Sequence, residues 1–211
     1  MRESFKKYLN EDVKFDNLTW TGIFSFLIVF SGFFGWIYEF IFYYFNGGMK
    51  QFYMQGGNFL PWINIYAIGA VMIYFLTYKF RKKPWLVFLI SFVSCGVLEY
   101  ISGLGIYVLL GKRYWDYNNE ILNFGNIDGF ICLRSLLFFG ISSLFLMYIV
   151  IPFTFKIAKS VDKRFFAWVC LVLLIIVLFD EVYNLVFSHV FDLPNAVDVY
   201  KKIGLKYVTY N

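Results

Sequence analysis

The strongest constraint on this chain is a run of 22 residues without charge between Asp16 and Glu39. At about 1.5 Å per residue, such a run crosses the roughly 30 Å hydrocarbon core of a bilayer as one helix. Apolar runs recur along the chain and predict spanning helices over about residues 18–45, 59–80, 85–110, 129–155 and 165–191. A bilayer admits only helices or closed barrels, and barrel strands would show short alternating segments. The sequence therefore predicts an all-α polytopic transmembrane bundle with five spanning helices.

Composition excludes an ordinary soluble domain, because 60% of the residues are hydrophobic and only 16% are charged, whereas soluble domains carry about 25% charged residues. The formal net charge of +5 is carried by short basic clusters between apolar runs. Such clusters are typical of topology determinants, so nucleic acid is not expected as a partner and the bilayer is. Cys95, Cys132 and Cys170 each lie alone in an apolar stretch, and His189 is the single histidine. We therefore expect no disulfide, no metal site and no cofactor.

Basic residues set the predicted orientation. Residues 1–17, 79–83 and 156–164 together hold 12 Lys and Arg residues, and the other side holds six, including Lys50 and Lys112 in the loops 46–58 and 111–128. Because cytoplasmic loops carry the excess of basic residues, we expect the N-terminus inside and the C-terminus outside. Residues 1–17 would be a cytoplasmic segment, either a helix on the membrane surface or a frayed terminus. Residues 18–191 would form the transmembrane domain and 192–211 an extracytoplasmic tail.

Charged residues inside apolar runs are costly and are usually functional or paired. Counted along their helices, all of them fall in the outer half of the predicted bundle. We expect the arginine among them to pair with one or more of the four carboxylates, and the group to bind a ligand or protons. The candidate residues are Glu39, Glu99, Arg134, Asp180, Glu181 and, one turn beyond Asp180, Asn184.

The outer loop 111–128 is the second informative segment. Trp115 and Tyr117 are typical of membrane-interface anchors. Asp116 would add acid at the mouth of the site. Asn126 or Asp128 could cap the fourth helix, which is predicted to begin at about residue 129.

Five short motifs, in order, resemble a family of bacterial membrane proteins described as type IV ABC-transporter permeases. The resemblance covers about residues 30–140, and Asn64, Ala67 and Asn118 depart from the family pattern. It implies a multi-pass permease of the bacterial cytoplasmic membrane that works with a separate ATPase or another membrane subunit. The chain itself contains no phosphate-binding loop of the ATPase type. The motifs are Gly35-Trp36-Ile37-Tyr38-Glu39, Ile65-Tyr66-Ala67-Ile68-Gly69-Ala70, Glu99-Tyr100-Ile101-Ser102-Gly103, Trp115-Asp116-Tyr117 and Asn126-Ile127-Asp128-Gly129-Phe130-Ile131.

Three functions are compatible with these residues. The first is a binding or transport protein with an outward-facing acidic site for a cationic or protonatable ligand, which could be a small molecule, an ion or a lipid. The second is an intramembrane enzyme acting on a lipid or isoprenoid, although no nucleophile–base pair or metal motif is visible in the sequence. The third is an accessory or structural membrane subunit whose intramembrane charges hold the bundle together.

Overall fold

Long helices make up most of the chain, as the apolar runs predict. The computed structural model describes residues 2–46, 52–111 and 113–207. Their helices are α1 (Arg2–Asn10), α2 (Asn17–Asn46), α3 (Asn64–Thr77), α4 (Pro84–Leu110), α5 (Leu133–Ser160), α6 (Lys163–Val190) and α7 (Ala196–Lys202). Helices α5 and α6 each contain a π-helical turn, at Leu146–Val150 and Tyr183–Phe187.

Four of these helices, α2, α4, α5 and α6, are long and apolar enough to span a membrane. Helix α3 has 14 residues and is therefore only about 21 Å long. The predicted second helix begins at Asn64 instead of near residue 59, so the predicted count of five spans is not confirmed within the described part of the chain. Gly56 and Gly57 have φ of 93° and 83°, and Pro61 cannot donate a helical hydrogen bond. These residues keep the preceding segment out of the helix.

The irregular segment 55–63 lies against interior positions of α2. The Trp62 indole Nε1 donates to the Ile28 carbonyl over 3.3 Å, and the Ile63 amide donates to the Gly32 carbonyl over 3.2 Å. Ile28 lies 11 residues into α2, so this contact is about 17 Å from the helix start. Irregular backbone at such depth is tolerated only where protein encloses it and satisfies its polar groups.

The helices pack in a row. Helix α2 packs against α6 and α3, α3 packs against α4, and α4 packs against α5, while α2 meets α5 mainly along its Ile151–Ser160 end. Glycines allow the close approaches. A Cβ at Gly22 would lie 2.9 Å from the Ala167 Cα, and one at Gly140 would lie 2.5 Å from the Phe88 ring. Small residues serve the same purpose at many membrane helix interfaces.

The N-terminal helix α1 is packed into the bundle. Tyr8 is buried, and its hydroxyl donates to the Met147 carbonyl over 2.8 Å. Arg81, which is also buried, donates from Nε to the Tyr8 carbonyl over 2.8 Å and pairs with Asp12 at 2.9 Å. Residues 2–13 are thus attached to the turn between α3 and α4. A position of α1 on the membrane surface stays a prediction.

The basic segments predicted to share one side meet at one end of the bundle. Lys163 pairs with Asp16 at 2.7 Å, and Lys159 lies 5.6 Å from the centre of the Phe15 ring. At the opposite end, strand β1 (Tyr53–Met54) pairs in parallel with β2 (Lys206–Tyr207) and so attaches the tail to the segment after α2. Lys50 and Lys112 lie outside the described residues, as do parts of the 46–58 loop and of the tail.

Candidate functional site

Two of the predicted intramembrane acids line a common cleft between α2, α3, α4 and α5. Its polar wall consists of Glu39, Tyr66, Glu99, Tyr117, Arg134 and Ser135, and its aromatic wall of Tyr38, Phe42, Tyr43, Phe138 and Phe139. We call this the carboxylate cleft.

Glu39 projects from α2 and is partly buried. The Tyr66 hydroxyl, from α3, donates to its Oε1 over 2.9 Å. Gly35, one turn earlier on α2, lies directly against the Tyr66 ring, where a Cβ would overlap it. The other carboxylate oxygen, Oε2, accepts no hydrogen bond from any residue that the structure describes. Glu39 therefore keeps a vacant acceptor in the cleft.

Glu99, on α4, is more enclosed and uses both of its oxygens. Its side chain is buried, and it accepts from the Tyr117 hydroxyl over 2.6 Å and from Ser135 Oγ over 2.7 Å. Tyr117 comes from the outer loop and Ser135 from α5. Burial, followed by the nearby Glu99 carboxylate, raises the pKa of Tyr117 well above its usual value. Its phenol therefore stays protonated and remains a donor.

Arg134, on α5, does not pair with any of the four predicted carboxylates. Its guanidinium forms an ion pair with Glu120 and donates to the Ile121 carbonyl over 3.0 Å. Its charge lies 4.1 Å from the centre of the Phe42 ring. The expected pairing was wrong because the preceding loop folds back over α5 and brings a nearer carboxylate.

Glu120 is a residue that the sequence reasoning missed. It also accepts from the Tyr43 hydroxyl over 2.6 Å, which links the loop to α2. Glu120 lies 14 residues before Arg134. Because that arginine needs a counter-charge, the sequence could have indicated Glu120 as a candidate partner. Ser135 and the aromatic wall had no such signal, because serine and phenylalanine occur throughout the spans.

The outer-loop motif residues position Tyr117. The Trp115 indole donates to the Phe130 carbonyl over 2.9 Å, and the Tyr117 amide donates to the Gly129 carbonyl over 2.9 Å. Asn126 Oδ1 accepts from the Gly129 amide over 2.9 Å. Asn126 thus caps a turn before α5 and not the helix itself, whose first residue is Leu133. Tyr117 donates to Glu99, and its role as an interface anchor stays a prediction.

Asp116 and Gly129 meet at the centre of this loop. Asp116 Oδ1 accepts from the Asn118 amide over 3.0 Å and from the Asn118 side chain over 2.7 Å, and it lies 3.7 Å from Arg113. Gly129 has φ of 76°, and a Cβ there would overlap Asp116. These contacts give Asp116 a local role in shaping the turn, and its predicted role at the mouth is not supported by them.

Two residues of the motif 65–70 on α3, Tyr66 and Gly69, have different roles at the cleft. Tyr66 reaches Glu39 as described. Gly69 faces Cys95 Sγ and Phe139 Cε1, each 3.9 Å from where its Cβ would lie. Gly69 is therefore a packing position beside the cleft.

Asp180, Glu181 and Asn184 do not line the carboxylate cleft. Asp180 is buried and accepts from the backbone amides of Phe59 and Leu60, over 3.1 and 2.7 Å. These acceptors satisfy irregular backbone inside the bundle. We call the group formed by Asp180, Glu181, Asn184, Asn58 and Asn64 the Asp180 cluster.

The rest of the Asp180 cluster ties further segments to α6. Glu181 accepts from the Asn58 and Asn64 side chains, each over 2.6 Å. Asn184 lies in the π-helical turn, donates to Asp180 Oδ1 over 2.8 Å and accepts from the Ala196 amide over 2.7 Å. The described bonds of these residues hold the 55–64 segment and the start of α7.

Cysteines and the histidine form no further site among the described residues. All three cysteines are free and buried, His189 is exposed, and no group of potential metal ligands is found in these parts of the chain.

Comparison with known proteins bears on both clusters. Residues 26–185, about three quarters of the chain, match the family described as "Putative ABC-transporter type IV". No curated protein and no solved structure matches the chain. The matched range holds the carboxylate cleft, the Asp180 cluster and most of the four long apolar helices, and it confirms the resemblance drawn from the motifs. The chain therefore belongs to this family and is a multi-pass membrane protein related to transport.

Proposed function

We propose that this protein is a permease-type protein of the bacterial cytoplasmic membrane whose carboxylate cleft binds a cationic or protonatable ligand. The observation that carries the proposal is an excess of carboxylates: Glu39 and Glu99 line the cleft, whereas Arg134 is paired with Glu120. Oε2 of Glu39 accepts no hydrogen bond from the residues that the structure describes. Unpaired negative charge in a low-dielectric cleft attracts a cation or protons.

The two glutamates have different roles in this proposal. Both oxygens of Glu99 accept a hydrogen bond, from Tyr117 and Ser135, so Glu99 fixes the loop and supplies charge. Among the described residues, Glu39 accepts only from the Tyr66 hydroxyl, so it is the group that contacts the ligand. The aromatic wall favours an organic cation, because aromatic faces attract positive charge.

The proposed orientation has the N-terminus in the cytoplasm and the cleft nearer the outer face. It is supported by the meeting of α1, the α3–α4 turn and the α5–α6 loop at one end, where basic residues are concentrated. Helix α3 together with the enclosed 55–63 segment would form the fifth crossing. The family description supports a separate ATPase as partner, and its docking surface would be this same basic end.

Binding to the purified full chain in lipid nanodiscs tests the cleft. The probes are methylammonium and tetramethylammonium at constant ionic strength, with thermal stabilisation as the signal. Loss of a charged partner is worth about 1.5–3 kcal/mol, so Glu39→Gln should weaken binding by about tenfold or more. Glu181→Gln is the matched control, because it removes a carboxylate that lies outside the cleft.

The outcomes separate this proposal from its alternatives. Equal probe binding by the Glu39→Gln and wild-type proteins would remove the ligand role of the cleft. If Glu39→Gln and Glu99→Gln lowered only the melting temperature of the free protein, the charges would be structural, as in an accessory subunit. Isolation of the tagged chain from its native membrane without an ATPase would contradict the proposed partner.

A further inference from the structure

The carboxylate cleft lies between two parts of the bundle that meet there through side chains. On one side, α4 packs along the outer part of α5, Leu133–Phe145, and carries Glu99. On the other side, α2 packs against α3 and carries Glu39. Tyr38 of α2 stacks on Phe138 of α5 with 3.5 Å between ring centroids, and only a few water molecules fit in the cleft. A larger ligand therefore enters only if the two parts separate.

Helix α5 is irregular beyond its cleft-lining residues. In its π-helical turn, the Ile151 amide donates to the Leu146 carbonyl, five residues back. In the same register the Met147 carbonyl would pair with residue 152, which is Pro152 and has no amide hydrogen. Helices bend at π-helical turns and at prolines. The following part, Ile151–Ser160, packs against α2, so the turn separates the part of α5 that accompanies α4 from the part that is fixed to α2.

Helix α1 supplies the donor that the proline lacks. Tyr8 is only 3% exposed, and its hydroxyl donates to the Met147 carbonyl over 2.8 Å. Arg81, in the turn between α3 and α4, donates from Nε to the Tyr8 carbonyl over 2.8 Å, and its own carbonyl accepts from the Tyr148 hydroxyl over 2.9 Å. Helix α1 therefore holds both connections of the α4–α5 pair at this end, the α3–α4 turn and the π-helical turn.

The attachment of α1 can be released without leaving Arg81 unpaired. Asp12, which binds Arg81 at 2.9 Å, has a side chain that is 78% exposed, so water can replace this contact. Arg81 also donates to the Tyr78 carbonyl over 2.9 Å, and its charge lies 4.1 Å from the centre of the Tyr78 ring. These two contacts belong to the α3–α4 turn itself and do not depend on α1.

We infer that the π-helical turn of α5 is a hinge, and that α1 is a latch that keeps the α4–α5 pair closed over the carboxylate cleft. While Tyr8 is bound, α5 is fixed at Met147 and the α3–α4 turn is fixed at Arg81. Release of Tyr8 frees both points, and the outer ends of α4 and α5 then swing away from α2. This inference rests on the proposed function, because it gives a ligand its route to Glu39.

The distance between two spin labels tests the hinge in the full chain in lipid nanodiscs. The labels are attached through Ile41→Cys on α2 and Ile101→Cys on α4, at positions that are 51% and 62% exposed, after the three native cysteines have been replaced by alanine. Tyr8→Phe removes only the latch hydroxyl. Tyr200→Phe is the matched control, because its hydroxyl makes the same kind of bond, to the Phe59 carbonyl over 2.7 Å, towards the opposite end of the bundle.

The expected result is a larger population of molecules with a longer label distance. Tyr8→Phe should raise the ratio of open to closed molecules by about three- to tenfold, which is the usual worth of one hydrogen bond within a protein. Pro152→Ala supplies an amide hydrogen for the Met147 carbonyl, so adding it to Tyr8→Phe should return the ratio towards the wild-type value. Tyr200→Phe should not change the ratio. If Tyr8→Phe does not fold, Asp12→Asn replaces it and should give a smaller increase.

The failures are distinguishable. An unchanged ratio in Tyr8→Phe, or in Asp12→Asn where it is the variant used, would overturn the latch. Equal increases in Tyr8→Phe and Tyr200→Phe would mean general loosening and would overturn the hinge. Methylammonium binding that Glu39→Gln does not weaken removes the proposed function, whatever the label distances show. Binding that depends on Glu39, together with unchanged label distances, leaves the proposed function standing and makes the latch wrong.

Discussion

Removal of the Asp180 carboxylate should loosen the irregular segment that lies against α2. Asp180 is the acceptor for two backbone amides, those of Phe59 at 3.1 Å and Leu60 at 2.7 Å. The side-chain amide of Asn184 keeps the Asp180 carbonyl as a second acceptor at 2.8 Å. Asp180→Ala therefore leaves two partly buried backbone donors without this acceptor.

The magnitude follows from those two donors. A buried donor without a partner costs about 1–3 kcal/mol, and because these two are only partly buried the lower value applies, so the variant should be destabilised by about 2 kcal/mol in total. Because 1.4 kcal/mol is a factor of ten, amide exchange at residues 59 and 60 should accelerate by about 30-fold if local opening carries the loss.

Hydrogen exchange, followed by mass spectrometry on the protein in nanodiscs, measures the opening at residues 59 and 60. Thermal unfolding measures the loss of global stability. Glu181→Ala is the neighbouring control. Its carboxylate binds the side chains of Asn58 and Asn64, which can turn towards water more easily than backbone amides can. Unchanged exchange at residues 59 and 60 in Asp180→Ala, with an unchanged melting temperature, would refute the reasoning.

Two further predictions concern the ends of the bundle. Gly129→Ala should destabilise the protein more than Gly111→Ala does in thermal unfolding. Both glycines have positive φ, 76° and 65°, but only a Cβ at position 129 meets other side chains. The strained backbone alone costs about 1–2 kcal/mol at each site. Equal losses of stability in the two variants would contradict the packing argument. Asp16 has its pKa lowered from 3.8 to about 2, first by Lys163 and then by Thr19. Its contribution is therefore present above about pH 4 and lost as the pH falls towards 2. The stability of Asp16→Asn should fall less steeply over that range, and parallel acid-unfolding curves would contradict this.

Much of the architecture could be predicted from the apolar runs and from the residues that start and stop helices between them. Pro84 and Gly111 bracket α4 as helix start and stop signals, because proline suits the first turn and glycine the left-handed position after the last. The predicted span over residues 85–110 was accordingly accurate. The second helix was less predictable, because hydrophobicity alone continues through residues 59–63 while the backbone there is held by Asp180 and not by helical bonds.

The candidate site, too, could be predicted only in part from the sequence. Charge inside apolar runs was enough to single out Glu39, Glu99, Arg134 and Asp180 as residues that need partners. Which partners they have depends on how loops fold across the bundle. The loop before α5 brings Glu120 to Arg134, and no periodicity within one helix encodes that contact.

The sequence by itself determined that the chain enters a bilayer, because 22 uncharged residues in one run have no other favourable solvent. It also determined the family, through short motifs, four of which contribute a residue to the carboxylate cleft. Only the tertiary structure decided that the charges inside the apolar runs form two separate groups: one oxygen of Glu39 has no donor among the described residues, whereas Asp180 binds backbone amides. The physical reason is that the depth of a residue can be estimated by counting along its own helix. The partner of a charged side chain depends on the rotation and packing of several helices and loops at once.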